Sequence, residues 1–147
     1  MWVRSQEASY TNAAQANNQY TLVTDADWIA GSGHDTCRLE RIIGEVVWRP
    51  VGAVTSFVMA AVWILDADET VPSPGAELQL NDEDTLWTMV GCWAGANQVE
   101  DSHRDVSFRG RRRLKAGQEI KIVHRALDAG ATYDFGLNIS CLLELSS

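Results

Sequence analysis

Arg109, Arg111 and Arg113 stand two residues apart in the last third of the chain. On a β-strand, residues at that spacing share one face at roughly 7 Å intervals, so the three guanidinium groups form a ladder. The interval is close to the separation of successive phosphates. A guanidinium also pairs bidentately with phosphate or carboxylate, which an ammonium does not. The ladder, extended by Lys115, suits a nucleic-acid backbone or the acidic surface of a neighbouring subunit, and the residues alone favour neither. Arg104 and Arg112 have the opposite parity and fall on the apolar side, near the strand ends.

No other constellation supports catalysis, and the chain reads as a non-enzyme. His34, His103 and His124 are scattered, without an H-x-H or H-E-x-x-H pair and without the clustered histidines of a metal-binding cupin. His124 shares the parity of Ile120 and Ile122 and reads as a packed, hydrogen-bonded core histidine. Ser32, in Ala30-Gly31-Ser32-Gly33-His34, lies in a glycine turn and not in a G-x-S-x-G elbow. Cys37, Cys92 and Cys141 are odd in number and far apart, so buried free thiols in a reducing compartment fit better than disulfides or zinc. Asp66, Asp68, Glu69 and Glu77 resemble part of an oxygen-ligand loop, and Asn81-Asp82-Glu83-Asp84 forms a second acidic cluster. Val71 occupies the place of the EF-hand turn glycine, however. These read as solvated acidic loops, with a cation bridging subunits as the alternative. No metal or cofactor is expected.

Charge is unevenly distributed. The chain carries −8 overall, yet Arg104 to Arg125 holds eight basic residues against two acids, a net of +6, which leaves −14 to the remainder. Such a protein does not coat nucleic acid indiscriminately, but one strip of it can bind an anionic partner. At 147 residues, 46% hydrophobic and 22% charged, the chain is long enough for one domain with a real core. Its longest apolar run, Phe57 to Leu65, is too short for a membrane-spanning helix, and the first residues lack the apolar stretch of a signal peptide.

The elements that carry these residues read as strands. The first 17 residues, rich in Ser, Asn, Gln, Thr and Ala, read as a flexible N-terminal arm, and residues 18–147 as one domain. Strands are expected over Tyr20–Thr24, Cys37–Trp48, Thr55–Leu65, Leu86–Trp93, Arg104–Leu114, Ile120–Arg125 and Phe135–Leu145. In the second of these, Gly44 suggests a bulge or bend, and Arg41 and Glu45 interrupt the apolar parity. Thr55–Leu65 is apolar on both faces, so it is either central in a sandwich or covered by another subunit. Of six tryptophans, Trp63, Trp87 and Trp93, together with Phe57, are the candidates for self-association. Seven or eight strands joined by both tight turns and long crossovers fit an all-β, antiparallel two-sheet jelly-roll sandwich. The immunoglobulin-like sandwich is the nearest rival.

Several stretches are similar to capsid proteins of small circular, Rep-encoding single-stranded DNA viruses. They are the Trp2-Val3-Arg4 junction, the strand Arg41-Ile42-Ile43-Gly44-Glu45-Val46-Val47-Trp48, and the Leu-Trp strand after an acidic loop, Asp84-Thr85-Leu86-Trp87. The best match is a D-x-x-x-R-x-L-x-x-G pattern leading into an apolar strand. Here it spans Asp105 to Ile120, with Arg109, Leu114 and Gly117, and contains one extra arginine-bearing step. The likeness runs over most of the chain from Asn18 onward. It implies a single jelly-roll subunit that self-assembles into a small icosahedral shell around a single-stranded DNA genome, located in the virion and assembled inside a host cell. It also implies an arginine-rich N-terminal arm, whereas Arg4 is the sole Lys or Arg before Arg38. Without an arm, a genome would meet only wall residues, with Arg109, Arg111 and Arg113 first among them. The rival reading is a soluble jelly-roll binding module, carbohydrate-binding or of the trimeric ligand type. No membrane partner is expected.

Overall fold

The computed structural model describes residues 2–13, 18–28, 36–51, 56–66, 68–69, 84–92, 102–128 and 131–146, with only the backbone described for 2–13 and 92. Among the described residues there are eight strands: β1 Trp2–Ala13, β2 Asn18–Val23, β3 Thr36–Val51, β4 Phe57–Asp66, β5 Thr85–Cys92, β6 Ser102–Leu114, β7 Gln118–Ala126 and β8 Thr132–Ser146. They form two antiparallel sheets, β1-β8-β3-β6 (sheet A) and β2-β7-β4-β5 (sheet B). Each strand of the first half pairs with its mirror in the second: β1 with β8, β2 with β7, β3 with β6, β4 with β5. The chain is thus one long hairpin whose successive strand pairs alternate between the sheets, which is the jelly-roll topology. Among the described residues the helical content is a single 3-10 turn, Asp25–Asp27, and no helix is long and apolar enough to cross a membrane.

Seven strands fall where the sequence pattern places them; β1 does not. Trp2–Ala13, expected as a flexible arm, pairs with β8 from Trp2↔Leu143 to Ala13↔Thr132. Its composition offers no apolar stripe to read, and an outermost strand is joined through the backbone ladder, which any residue but proline supports. Residues 14–17 therefore separate two strands, not an arm from a domain.

The bulge expected at Gly44 lies instead between Leu39 and Arg41, where the pairing of β3 with both neighbours shifts. That shift explains the broken parity. Cys37 and Leu39 point inward before it; Ile42, Val46 and Trp48 point inward after it, and Arg41 and Glu45 are turned out. Gly44 has a different duty, because a Cβ there would collide with the backbone carbonyl of Asn138 on β8. Gly91 on β5 likewise leaves room for the Trp48 ring that lies over it.

The core between the sheets is continuous and includes Trp28, Ile42, Val62, Ile122, Phe135 and Ile139. His124 sits inside it, fully buried, with its ring stacked on Phe135 at 3.7 Å between centroids and Nδ1 2.8 Å from the Tyr133 hydroxyl. Burial pushes its pKa down to about 3. The Cys37 and Cys141 thiols are free and buried. Burial pushes both up to about 12, with Asp27 adding to the effect on Cys37 and Cys37 to that on Cys141.

β4 is buried on both faces within one chain. Val58, Ala60, Val62 and Ile64 join the main core, while Ala61, Trp63 and Leu65 form a second cluster with Val123 on the outer side of sheet B. Trp63 is 3% exposed and donates its indole N–H to Thr85 Oγ1 at 2.9 Å. The apolar outer stripe of β4 needs no second subunit to cover it.

Candidate functional site

The arginine ladder lies on β6, the outermost strand of sheet A. Val106 and Leu114 of β6 are buried and Phe108 packs against the core, so the alternate residues Asp105, Ser107, Arg109, Arg111 and Arg113 face out and are exposed. Lys115 follows the strand, also exposed. It opens a tight turn in which the Gln118 N–H donates to its carbonyl at 3.0 Å and the Gln118 side chain accepts from its N–H at 2.9 Å. The structure thus brings Arg109, Arg111 and Arg113 onto one surface as their spacing predicts. Arg104 and Arg112 have inward parity and reach across the open edge of the sandwich toward β5. Arg112 Nη2 donates to Asp84 Oδ1 at 2.9 Å, and Arg104 Nη2 to the Val90 carbonyl at 3.5 Å.

Pairing with β3 and β8 enlarges the ladder into a face that sequence reading missed. Arg113 stands opposite Arg38, which stands opposite Glu144; Arg109 stands opposite Arg41. The bulge offers Glu40 to Arg111, at 3.9 Å, and to Arg38, also at 3.9 Å, and Arg38 lies 3.8 Å from Glu144. These are long surface contacts and stabilise little. Among the described residues no carboxylate lies within 4.0 Å of Arg41, Arg109 or Arg113. Like charges directly opposite on neighbouring strands repel, so this face has unspent capacity for an anion.

The sign then reverses along the same face. Beyond a neutral row of Ser107, Ile43 and Ser140 comes Asp105 opposite Glu45, which stands opposite Asn138. Ile43, Gly44, Glu45, Asp105, Asn138 and Ser140 line an open depression of about 340 Å³. Among the described residues, the ion-pair contact there is His103 Nδ1 to Glu45 Oε2 at 3.9 Å. Neither Arg41 nor Glu45 can be placed beside β6 without the register of strands some 60 residues apart in sequence, and no local signal supplies it.

The other predicted residues fare differently. Of the self-association set, Phe57 is exposed at 44%, Trp87 packs half-buried against the core, Trp63 is buried, and Trp93 lies outside the described residues. Trp63 is therefore corrected to an interior residue of the single chain. Trp28 and Trp48 are also buried. In the acidic loops, Glu69 turns its carboxylate onto the Asp66 N–H at 3.0 Å and Asp84 holds Arg112. His34, Ser32, Glu77 and Asn81-Asp82-Glu83 lie outside the described residues. Among the described residues no group of three or more His, Cys, Asp or Glu is placed to hold a metal ion.

No protein-family model matches the chain, and no curated protein matches it. Viral proteins are among the solved structures it is similar to. One is an infectious bursal disease virus (Gx strain) structure at 10% identity and TM-score 0.39, covering 98% of this chain and 32% of that one. Another is turnip yellow mosaic virus, at 13% identity and TM-score 0.37, covering 97% and 93% respectively. A third is a decameric BFDV capsid protein, at 9% identity and TM-score 0.36, covering 96% and 97%. The chain spans about a third of the first of these. Overlaps of this quality leave the fold to rest on the strand order itself.

Proposed function

We propose that this protein is a viral capsid subunit whose work is self-association into a closed shell. The observation that carries the reading is the sheet-A face, which sets a basic half, under-supplied with acids, beside an acidic half on an otherwise ordinary jelly roll. A catalyst or metal protein concentrates its titratable groups in a pocket; here they are spread over an exposed sheet, as in a contact surface. The capsid-like stretches from Arg41 to Trp48 and from Asp105 to Ile120 support the same reading. They fall on β3, β6 and the start of β7, the strands that build this face and its turn.

The finer expectations belong to this proposal: an icosahedral shell, a single-stranded DNA cargo, and residence in the virion. Arg109, Arg111, Arg113 and Lys115 are its contact residues, toward either nucleic acid or a neighbouring subunit. The revised burial changes the source of assembly energy. Since Trp63 is interior and Trp87 half-buried, these two rings supply less of it, and charge complementarity and the exposed Phe57 contribute. Assembly then weakens as salt rises.

Negative-stain microscopy with light scattering of the purified protein tests the reading, at low and high ionic strength. Uniform closed particles that loosen with salt are the expected result. A monomer at every concentration and salt overturns it.

A further inference from the structure

β6 is thirteen residues long and, among the described residues, bonds only to β3, so within that set one side of its backbone has no strand beside it. Proteins blunt such edges with charge, and a strand of one sign repels its own copies. β6 does not have one sign. On its outer face Arg109, Arg111 and Arg113 lie on one side of Ser107 and Asp105 on the other, and β3 repeats the pattern with Arg41 and Glu45.

We propose that β6 pairs with β6 of a second copy, antiparallel about a two-fold axis at Ser107, so that two A sheets join edge to edge. Antiparallel pairing about that point sets Arg109 of each copy opposite the other's Asp105, with Arg41 and Glu45 behind them in the same rows. On the inner face it sets Val106, which is buried, opposite Phe108, which packs half-buried on the core, so the apolar layer continues across the junction. The register is selective. Moving the axis to Phe108 sets Arg104 opposite Arg112, and moving it by half a residue brings outward positions against inward ones. A two-fold contact of this kind is isologous, and both copies contribute the same residues.

The sign reversal is also what favours a protein over a nucleic acid as the occupant. A phosphate backbone wants a continuous positive track, whereas this one ends after about three arginines at two carboxylates that repel it. The inference deepens the shell reading and rests on it for the claim that copies meet at all.

A short bis-maleimide with the full-length Ser107→Cys variant tests the register directly. The two introduced thiols, one from each copy, would lie about one strand spacing apart, roughly 5 Å. Asn138→Cys, exposed on β8 two strands inward, is the control beyond the linker's reach, and the parent chain reports its own cysteines. The expected result is a cross-linked dimer from Ser107→Cys alone. In parallel, Asp105→Arg or Arg109→Asp each weakens association by about tenfold or more, the scale of a like-charge clash. The double variant Asp105→Arg with Arg109→Asp restores it to within about threefold, because each swapped pair is again opposite in sign. Association unchanged by the single reversals, a double variant no better than the singles, or no cross-link in assembled protein overturns the pairing. So does loss of co-purifying nucleic acid in Arg109→Asp with assembly intact, which assigns the arginines to a genome instead. Closed particles without the Ser107→Cys cross-link leave the shell reading standing and remove this one. Cross-linked dimers that never form particles do the opposite, and a monomer throughout removes both.

Discussion

His124 makes the stability of this protein fall with acid in a way that one substitution can isolate. Its ring is fully buried between sheets, stacked on Phe135 and beside the Tyr133 hydroxyl, and burial holds its pKa near 3. In the unfolded chain an ordinary histidine titrates near 6.5. Above that value neither state is protonated and the group adds no pH dependence. As pH drops below it, the unfolded chain takes up a proton that the folded one refuses until about pH 3, so stability is lost across that window. Each pH unit removes up to about 1.4 kcal/mol, which reaches about 3 kcal/mol by pH 4.5. His124→Phe keeps an aromatic ring in the slot, abolishes the titration and forfeits the contact with Tyr133, a loss of roughly 1 kcal/mol. The variant is therefore expected to be the less stable protein at pH 7.5 and the more stable one at pH 4.5. Urea unfolding followed by tryptophan fluorescence at both values reads the crossing, and carboxylate titrations common to the two proteins cancel in the difference. A difference between them that stays constant from pH 7.5 to 4.5 would refute the claim that a neutral buried imidazole is being forced to charge on unfolding.

Two further outcomes follow from packing. Gly44→Ala drives a methyl group into the Asn138 carbonyl, which is backbone and cannot step aside, so a loss above about 2 kcal/mol or a failure to fold is expected; an unfolding midpoint within experimental error of the parent would contradict the close approach of β3 and β8. Trp63→Ala should cost the subunit about 3–5 kcal/mol, whereas Phe57→Ala, at an exposed position, should cost under about 1 kcal/mol. If instead Trp63→Ala leaves subunit unfolding untouched and alters only particle assembly, the second apolar cluster is an interface between copies after all.

What the sequence made legible was whatever alternates without interruption. In β8, Phe135, Leu137, Ile139, Cys141 and Leu143 all point inward, and the run could be read because no bulge breaks it. β3 carries a similar stripe, but the shift at Leu39–Arg41 moves it from odd to even positions, so one continuous inner face looks like two conflicting ones. β1 has no stripe, and its pairing with β8 lies in backbone groups that every sequence shares. Trp63 fails for another reason. A strand with two apolar faces states only that both are covered, and covering by the same chain or by a copy is a long-range fact that β4 does not encode.

The same limit explains the candidate site. Spacing alone put Arg109, Arg111 and Arg113 on one face, since a period of two is a local property. Their meaning depends on what stands beside them, and that is set by the register of β6 on β3, fixed over strands distant in sequence. Seen as a single strand, the arginines are a cationic ladder waiting for phosphates. Placed beside β3 they become one pole of a surface whose other pole is Glu45 and Asp105, and a surface with both poles has a natural partner in its own copy turned end for end. Because the poles lie on either side of Ser107, reversing the charge at one of them alone turns an attraction into a repulsion, while reversing both leaves the match intact. A bare cationic ladder has no such symmetry: for it, Arg109→Asp is a loss and Asp105→Arg a gain, so the two single reversals act in opposite directions where the paired poles make both of them losses.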